Sequence, residues 1–293
     1  MKSSQKFIHL RNYTQYSLSK GAIKVKDLVN KCLKSKIPAI GISDFGNLFG
    51  SMEFSLECKA NGIQPIIGCN IYLVDNNFEN GYLLLIAKNE LGFKNLSRLV
   101  TISYLENSKE NYPYISFNDL LNHSSGLICL AGGEFGFISK NYSRERISKV
   151  NEAIKRLNEI FSNDFFLEIQ KDLSKNKGLH SFLITQSISK NIPLVATNEN
   201  FFLDKSFYES HDALLSISEQ KYLDSEDRLK SDRNFCFKED HEIVSDFKNL
   251  PDALDNTVMI AKKCSFFLEE KNPKLPKINV ENNDENIFLK KKS

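Results

Sequence analysis

The chain has 293 residues, 41% of them hydrophobic, which is enough to bury one large core. Its 39 basic and 37 acidic residues leave a net charge of +2, well short of the basic excess of a dedicated nucleic-acid-binding module. No apolar run reaches the roughly 18 residues that a membrane span needs, and the six cysteines (Cys32, Cys58, Cys69, Cys129, Cys236 and Cys264) include no C-x-x-C pair, so buried reduced thiols in a soluble cytoplasmic protein are expected.

In chain order, short apolar runs alternate with amphipathic stretches. The runs lie at 7–10, 39–42, 65–74, 82–87, 126–131, 165–169 and 193–196, each short and rich in β-branched or aromatic residues, as strands covered on both faces should be. Helical periodicity fills the intervals: 25–34, where Val25, Leu28, Val29 and Cys32 share a face, then 51–60, 91–104, 148–161 and 179–190. Ser116 followed by Asp119 is a capping-box variant. Lys36-Ile-Pro-Ala39 and Asn191-Ile-Pro-Leu194 each carry the chain from helix to strand, with proline expected to end the helix.

Seven strands alternating with helices predict a parallel α/β architecture, and the lack of a G-x-G-x-x-G after the first strand favours a closed barrel over a dinucleotide-binding sheet. Past Leu203 the strand signal fades into helical patterns at 207–217, 239–245 and 252–264. A polar stretch with two prolines, 269–277, reads as a linker or strap, and a last helical pattern at 284–292 stops at Ser293 without a cap. The expected organisation is a domain over 1–268 and, over 269–293, a linker and the start of a further region of a longer protein.

Barrels of this kind carry function at the C-terminal ends of their strands. The phrases there are His9-Leu-Arg-Asn-Tyr-Thr-Gln-Tyr-Ser17, Ser43-Asp-Phe-Gly-Asn-Leu-Phe-Gly50, Gly68-Cys-Asn-Ile-Tyr72, Ala131-Gly-Gly133 and Ala196-Thr-Asn-Glu-Asn-Phe201. With Gly62-Ile-Gln-Pro-Ile-Ile-Gly68, Gly126-Leu-Ile-Cys-Leu-Ala131, Phe166-Leu-Glu-Ile-Gln170, Val195-Ala-Thr-Asn198 and Asp255-Asn-Thr-Val258, they match in order and spacing a known family. Over nearly its whole length the chain resembles the N-terminal PHP (polymerase and histidinol phosphatase) domains of bacterial DNA polymerase III alpha subunits. The resemblance implies a distorted seven-stranded (β/α) barrel with extra C-terminal helices.

Active PHP domains gather histidines and carboxylates around a cluster of divalent metals, which suits hydroxide generation and phosphate clamping. Position by position, this sequence departs from that pattern. The first histidine survives as His9, but the next two fall on Arg11 and Tyr13. The acid before the Gly-Ala pair is Lys20. The Asp-His of the second motif is Asp44-Phe45, and the acid of the third is Asn70. The histidine opening the fourth strand is Tyr82, the ligand of the fifth motif is Gly133, and the last Asp-x-His is Glu199-Asn-Phe201. Only His9, Asp44 and Glu199 keep metal-competent side chains in this reading, while Arg11 and Lys20 put positive charge where cations belong. No catalytic or metal-binding residue is therefore expected. Arg11 is expected to pair with Asp44 or Glu199 in place of a metal bridge. His211 reads as packing, His123, His180 and His241 as solvated, and Lys290-Lys-Lys292 as a solvated helix face.

Three functions compete. The first is a catalytically silent structural and docking domain of a replicative polymerase. The second is a metal-dependent phosphoesterase or 3′–5′ exonuclease, and the third a small-molecule phosphatase. The ligand losses favour the first. The resemblance then implies a parent DNA-directed DNA polymerase (a nucleotidyltransferase), with Mg2+ serving downstream polymerase domains and no cofactor here. It implies as partners those domains, a proofreading exonuclease subunit, other replisome subunits and, through the parent, DNA.

Overall fold

The computed structural model describes residues 7–107, 112–171, 178–273 and 290. Six of the seven apolar runs become strands: β1 Ala39–Phe45, β2 Gln64–Leu73, β3 Gly81–Ala87, β4 Leu127–Gly132, β5 Phe165–Ile169 and β6 Leu194–Ala196. They form one sheet whose spatial order follows the chain. The helices are α1 Val25–Ser35, α2 Ser51–Ala60, α3 Glu90–Leu105, α4 Phe117–His123, α5 Phe137–Asn141, α6 Ile147–Phe161, α7 Leu179–Lys190, α8 Tyr208–Ser218, α9 Asp240–Asp246 and α10 Pro251–Lys263.

Two expectations are corrected. The sheet is mixed rather than parallel, because β3 runs antiparallel to both β2 and β4. Only residues 74–80 join β2 to β3, too few for the crossover of a dozen or more residues that a parallel neighbour requires. The first apolar run, 7–10, is not a regular strand. It threads between the two ends of the sheet instead. The Gly41 and Ser43 amides donate to the His9 and Asn12 carbonyls at 2.8 and 3.0 Å, and on the other side the Tyr13 amide donates to the Asn200 carbonyl at 2.9 Å. Side-chain amides replace the missing ladder: Asn12 donates to the Gly41 carbonyl at 2.7 Å and accepts from Asn200 at 3.0 Å. Gly41 permits the approach, since a Cβ there would meet the Leu10 carbonyl oxygen at 2.8 Å.

Alternation on β3 shows how the core divides. Leu83, Leu85 and Ala87 pack with Leu96 and Leu99 of α3. Leu84 and Ile86 point the other way, into a cluster with Ile8, Leu10, Ile128, Leu130 and Phe166. The expected Ser116–Asp119 capping box closes the start of α4. The two helices ahead of prolines end within a residue of the expected positions, but not at proline itself. Lys36 and Asn191 adopt left-handed backbone at φ 56° and 52° and terminate α1 and α7, with Pro38 and Pro193 two residues beyond. All six cysteines are buried and free, as expected.

The C-terminal helices fasten this assembly. From α10, Asn256 donates to the Leu194 carbonyl at 2.7 Å, and Thr257 Oγ1 accepts from the Ile8 amide at 2.9 Å. Of the linker, residues 269–273 are described and irregular; the 284–292 pattern lies outside the described residues apart from Lys290, which is helical. Among the described residues, no helix is long and apolar enough to cross a membrane.

Thr257→Val keeps the volume but strands the buried Ile8 amide, so a loss of about 1–3 kcal/mol in urea denaturation is expected. An unchanged midpoint would mean that α10 does not hold the first segment in place.

Candidate functional site

The rim at the C-terminal ends of β1, β4, β5 and β6 collects the singled-out side chains. Because β3 is antiparallel, its first residues, including Tyr82, reach the same rim. At the centre lies Arg11, which is 3% exposed. Its guanidinium forks onto Glu168 of β5, with Nε on Oε1 and Nη2 on Oε2, the latter at 2.6 Å. Nη1 donates to the Tyr13 hydroxyl and to Asn70 Oδ1, both at 2.9 Å, and lies 3.8 Å from Glu199 Oε1. Tyr13 donates onward to Glu199 Oε2. Gln170 donates to Glu199 Oε1 at 2.9 Å and to Thr197 Oγ1 at 3.0 Å, while Thr197 donates to Glu168 Oε1. Asn70 completes the ring by donating to the Tyr13 hydroxyl at 3.0 Å.

Burial disfavours the Arg11 charge, but Glu168, Tyr13 and Glu199 outweigh it and hold the guanidinium charged well above the ordinary arginine range. Burial pushes the Glu199 carboxyl up, and nearby Glu168 adds to this against the pull of Arg11. Burial likewise drives the Tyr13 hydroxyl well above its usual range, so it stays a donor.

The other singled-out residues sort into three groups. Phe45 and Phe201 both stack with Tyr13, at 4.7 and 4.3 Å, and lie 6.3 Å from each other, while Tyr82 meets Phe45 edge-on at 5.0 Å. Lys20 stands over the Phe45 ring at 4.5 Å. Gly133 (φ 67°) touches the ring of polar groups: a Cβ there would lie 3.1 Å from Glu168 Oε2 and 3.3 Å from Glu199 Oε1. Asp44 and His9 turn away. Asp44 accepts from the Thr14 amide and hydroxyl at 2.7 Å each and from the Ser17 hydroxyl at 2.6 Å, clamping the loop that follows Tyr13. Its pairing with Arg11 is thereby ruled out, and of the two expected partners only Glu199 comes near. His9 Nε2 donates to the Lys238 carbonyl at 3.0 Å and Nδ1 accepts from Asn200 at 3.0 Å. His211 is buried, bridging Ser231 and the Lys20 carbonyl. His241 is exposed, but His123 and His180 are half-buried and bonded to the Asp119 and Gln170 carbonyls rather than solvated.

Sequence reasoning missed Glu168, Gln170 and Thr197. The signal for Glu168 was present: a lone acid inside Phe165-Phe-Leu-Glu-Ile169 must be buried, and a buried carboxylate needs a cation.

The set does not fit a divalent cluster. Both Glu168 oxygens are taken by the guanidinium and both Glu199 oxygens by Tyr13 and Gln170, and a fixed positive charge sits between the two acids. Among the described residues no group of three or more His, Cys, Asp or Glu side chains is placed to hold a metal ion. A cleft of about 400 Å³ opens above Glu199, between Glu134, Lys171, Asn198, Arg228 and Asn234.

A family model described as the PHP domain matches residues 9–172. The chain belongs to the PHP family. Its relatives include proteins named DNA polymerase III subunit alpha. That of Caulobacter vibrioides is 35% identical over 93% of this chain and 24% of its own length. That of Borreliella burgdorferi is 36% identical over 91% and 24%, and that of Rickettsia conorii 34% over 97% and 24%. This PHP chain thus spans about a quarter of the length of the curated relatives it matches.

Two outcomes follow for the PHP rim. Arg11→Ala leaves Glu168 buried and unpaired and is expected to cost about 3–5 kcal/mol in urea denaturation, whereas Arg11→Met with Glu168→Leu loses distinctly less; equal losses would deny the coupling. Burial lowers the His9 pKa to about 3, with Lys238 and Lys31 adding to it against the Lys238 carbonyl bond. The unfolded chain takes up a proton below about pH 6.5 and the native state does not, so this stability is complete above that pH and is lost as pH falls towards 3. His9→Asn should flatten the fall in unfolding free energy between about pH 6.5 and 4 by up to about 1.4 kcal/mol per pH unit. Parallel pH profiles for the two proteins would contradict it.

Proposed function

We propose that this chain is the N-terminal PHP domain of a replicative DNA polymerase III alpha subunit, serving there as a structural and docking domain rather than as a hydrolase. One observation carries the silent role: the Arg11 guanidinium fills the space between Glu168, Asn70 and Glu199. In this reading His9, Arg11, Tyr13, Lys20, Asp44, Phe45, Asn70, Tyr82, Gly133, Glu199 and Phe201 are the remnant of a metal site, and none is catalytic. The charge-assisted fork does by hydrogen bonding what bridging ions do in an active relative. Segment 7–14 acts as the seventh stave of a distorted barrel, supported by its bonds to both ends of the sheet.

The relatives' names support the parent assignment. Nucleotidyl transfer with Mg2+, contact with DNA, and docking of a proofreading exonuclease and other replisome subunits are accordingly assigned to the whole cytoplasmic protein. Residues 1–268 form the domain in this scheme, and 269–293 lead on towards the polymerase region.

Elemental analysis of the purified chain, together with hydrolysis of bis(p-nitrophenyl) phosphate in added Zn2+ or Mn2+, tests the silent role. The expected result is sub-stoichiometric metal and no turnover above the metal-only control. Stoichiometric metal with turnover would overturn it in favour of a retained phosphoesterase or 3′–5′ exonuclease.

A further inference from the structure

The loop that Asp44 clamps leads into a lysine whose backbone is fixed from both sides. The Lys20 amide donates to the Ser17 carbonyl at 2.9 Å, and its carbonyl accepts from His211 Nε2 at 2.8 Å. Ser19 before it is left-handed at φ 61°. Gly21 after it leaves no room for a side chain, since a Cβ there would meet the Thr14 carbonyl oxygen at 2.2 Å. The Lys20 side chain is half-buried, with its amine 4.5 Å from the Phe45 ring centroid and 5.7 Å from that of Tyr82. Among the described residues no carboxylate forms an ion pair with it.

A lysine head normally sits in water or on an acid; this one sits in an aromatic corner. The two rings offset part of the cost of burying an ammonium, and the rest favours the neutral amine. A second cation stands nearby. Tyr82 bridges to Gly136, and one turn beyond Gly136 lies Lys140 of α5, whose amide donates to the Gly136 carbonyl at 3.0 Å. Burial first, and then the charge of Lys140, lowers the Lys20 pKa. The other groups around it add no charge. Phe45 is apolar, burial pushes the Tyr82 hydroxyl up to about 12, and burial lowers the pKa of His211, which meets only the Lys20 carbonyl. A desolvated lysine beside another cation is the arrangement in which this side chain becomes a nucleophile.

We infer that Lys20 is a covalent modification site whose amine takes a small acyl group from an acyl phosphate, with Lys140 receiving the departing phosphate. The Nζ lone pair of the neutral amine forms a bond to the acyl carbon. The bond from that carbon to the phosphate oxygen breaks, and its electron pair leaves with the phosphate. The proton shed by nitrogen ends on the phosphate, so the products are a neutral amide and hydrogen phosphate, and nothing is oxidised or reduced. The donor class follows from the charges: an anionic phosphate is drawn to the Lys20–Lys140 pair, and an uncharged thioester is not. The product suits the corner, since an acetyl methyl lies against the rings and the uncompensated charge is gone. The inference rests on the loop and rings around Lys20, and neither the metal content of the chain nor its parent bears on it.

The test is incubation of the 293-residue chain with acetyl phosphate at neutral pH, with the rate of acetylation at each lysine read by mass spectrometry of proteolytic peptides. Lys24 and Lys26, exposed on the same stretch of chain, serve as internal references. Lys20 should react about fivefold faster than either. Its lead should shrink as the pH approaches 10.5, the ordinary lysine value, because the lead comes from a lowered pKa. Lys140→Met, at an exposed position that the fold tolerates, should remove most of the lead. The lead should also be smaller when the donor is the uncharged acetyl thioester of N-acetylcysteamine. The inference is overturned if Lys20 in the native chain reacts no faster than the references at neutral pH, if its lead survives intact in Lys140→Met, or if the thioester gives an equal lead.

Discussion

The fork between Arg11 and Glu168 fixes the rest of this molecule. It joins an irregular N-terminal segment to the middle of a buried strand, and through Asn70, Tyr13 and Glu199 it reaches β2 and the turn after β6. The sheet has no ladder across that gap. Side chains reinforce the few main-chain bonds that cross it, which is why so many polar groups at this rim are buried and why so few lack a partner.

One cation against two acids would be unbalanced if the rim relied on charge alone. The donors from Tyr13 and Gln170, one on each Glu199 oxygen, share the burden with Arg11. The stacked cluster of Phe45, Tyr13 and Phe201 packs beside these groups. Packing and hydrogen bonding are one structure here: Tyr13 belongs to both.

Much of this was legible in the sequence, for identifiable reasons. Strands such as 165–169 and helices such as 179–190 declare themselves by apolar period, and that period is a local property. The direction of β3 is not local. Alternation in Gly81-Tyr-Leu-Leu-Leu-Ile-Ala87 reads the same both ways, and only the short preceding connection carried the answer. The motif positions correctly indicated which residues meet at the rim, Asn70, Glu199 and Phe201 among them. They misled on Asp44, because a carboxylate beside a metal-site motif is equally suited to capping the Thr14–Ser17 loop, and choosing between the two needs the loop's path. Glu168 matches its family phrase without departing from it, so only its place inside an apolar strand marks it.

Gly133 bears on how such a rim can change over generations. Its backbone is left-handed, and the space where its side chain would start is already bordered by oxygen and nitrogen atoms of Glu168, Gln170 and Glu199 at 3.1–3.3 Å. A larger residue at 133 must push against three groups, of which Glu168 and Glu199 face Arg11 and Gln170 is bonded to Glu199. Any one of these positions, altered alone, meets resistance from the others; altered together, they give way. Such sites behave as a ratchet: the order in which substitutions arrive matters as much as their identity, and a return by single steps crosses less stable intermediates.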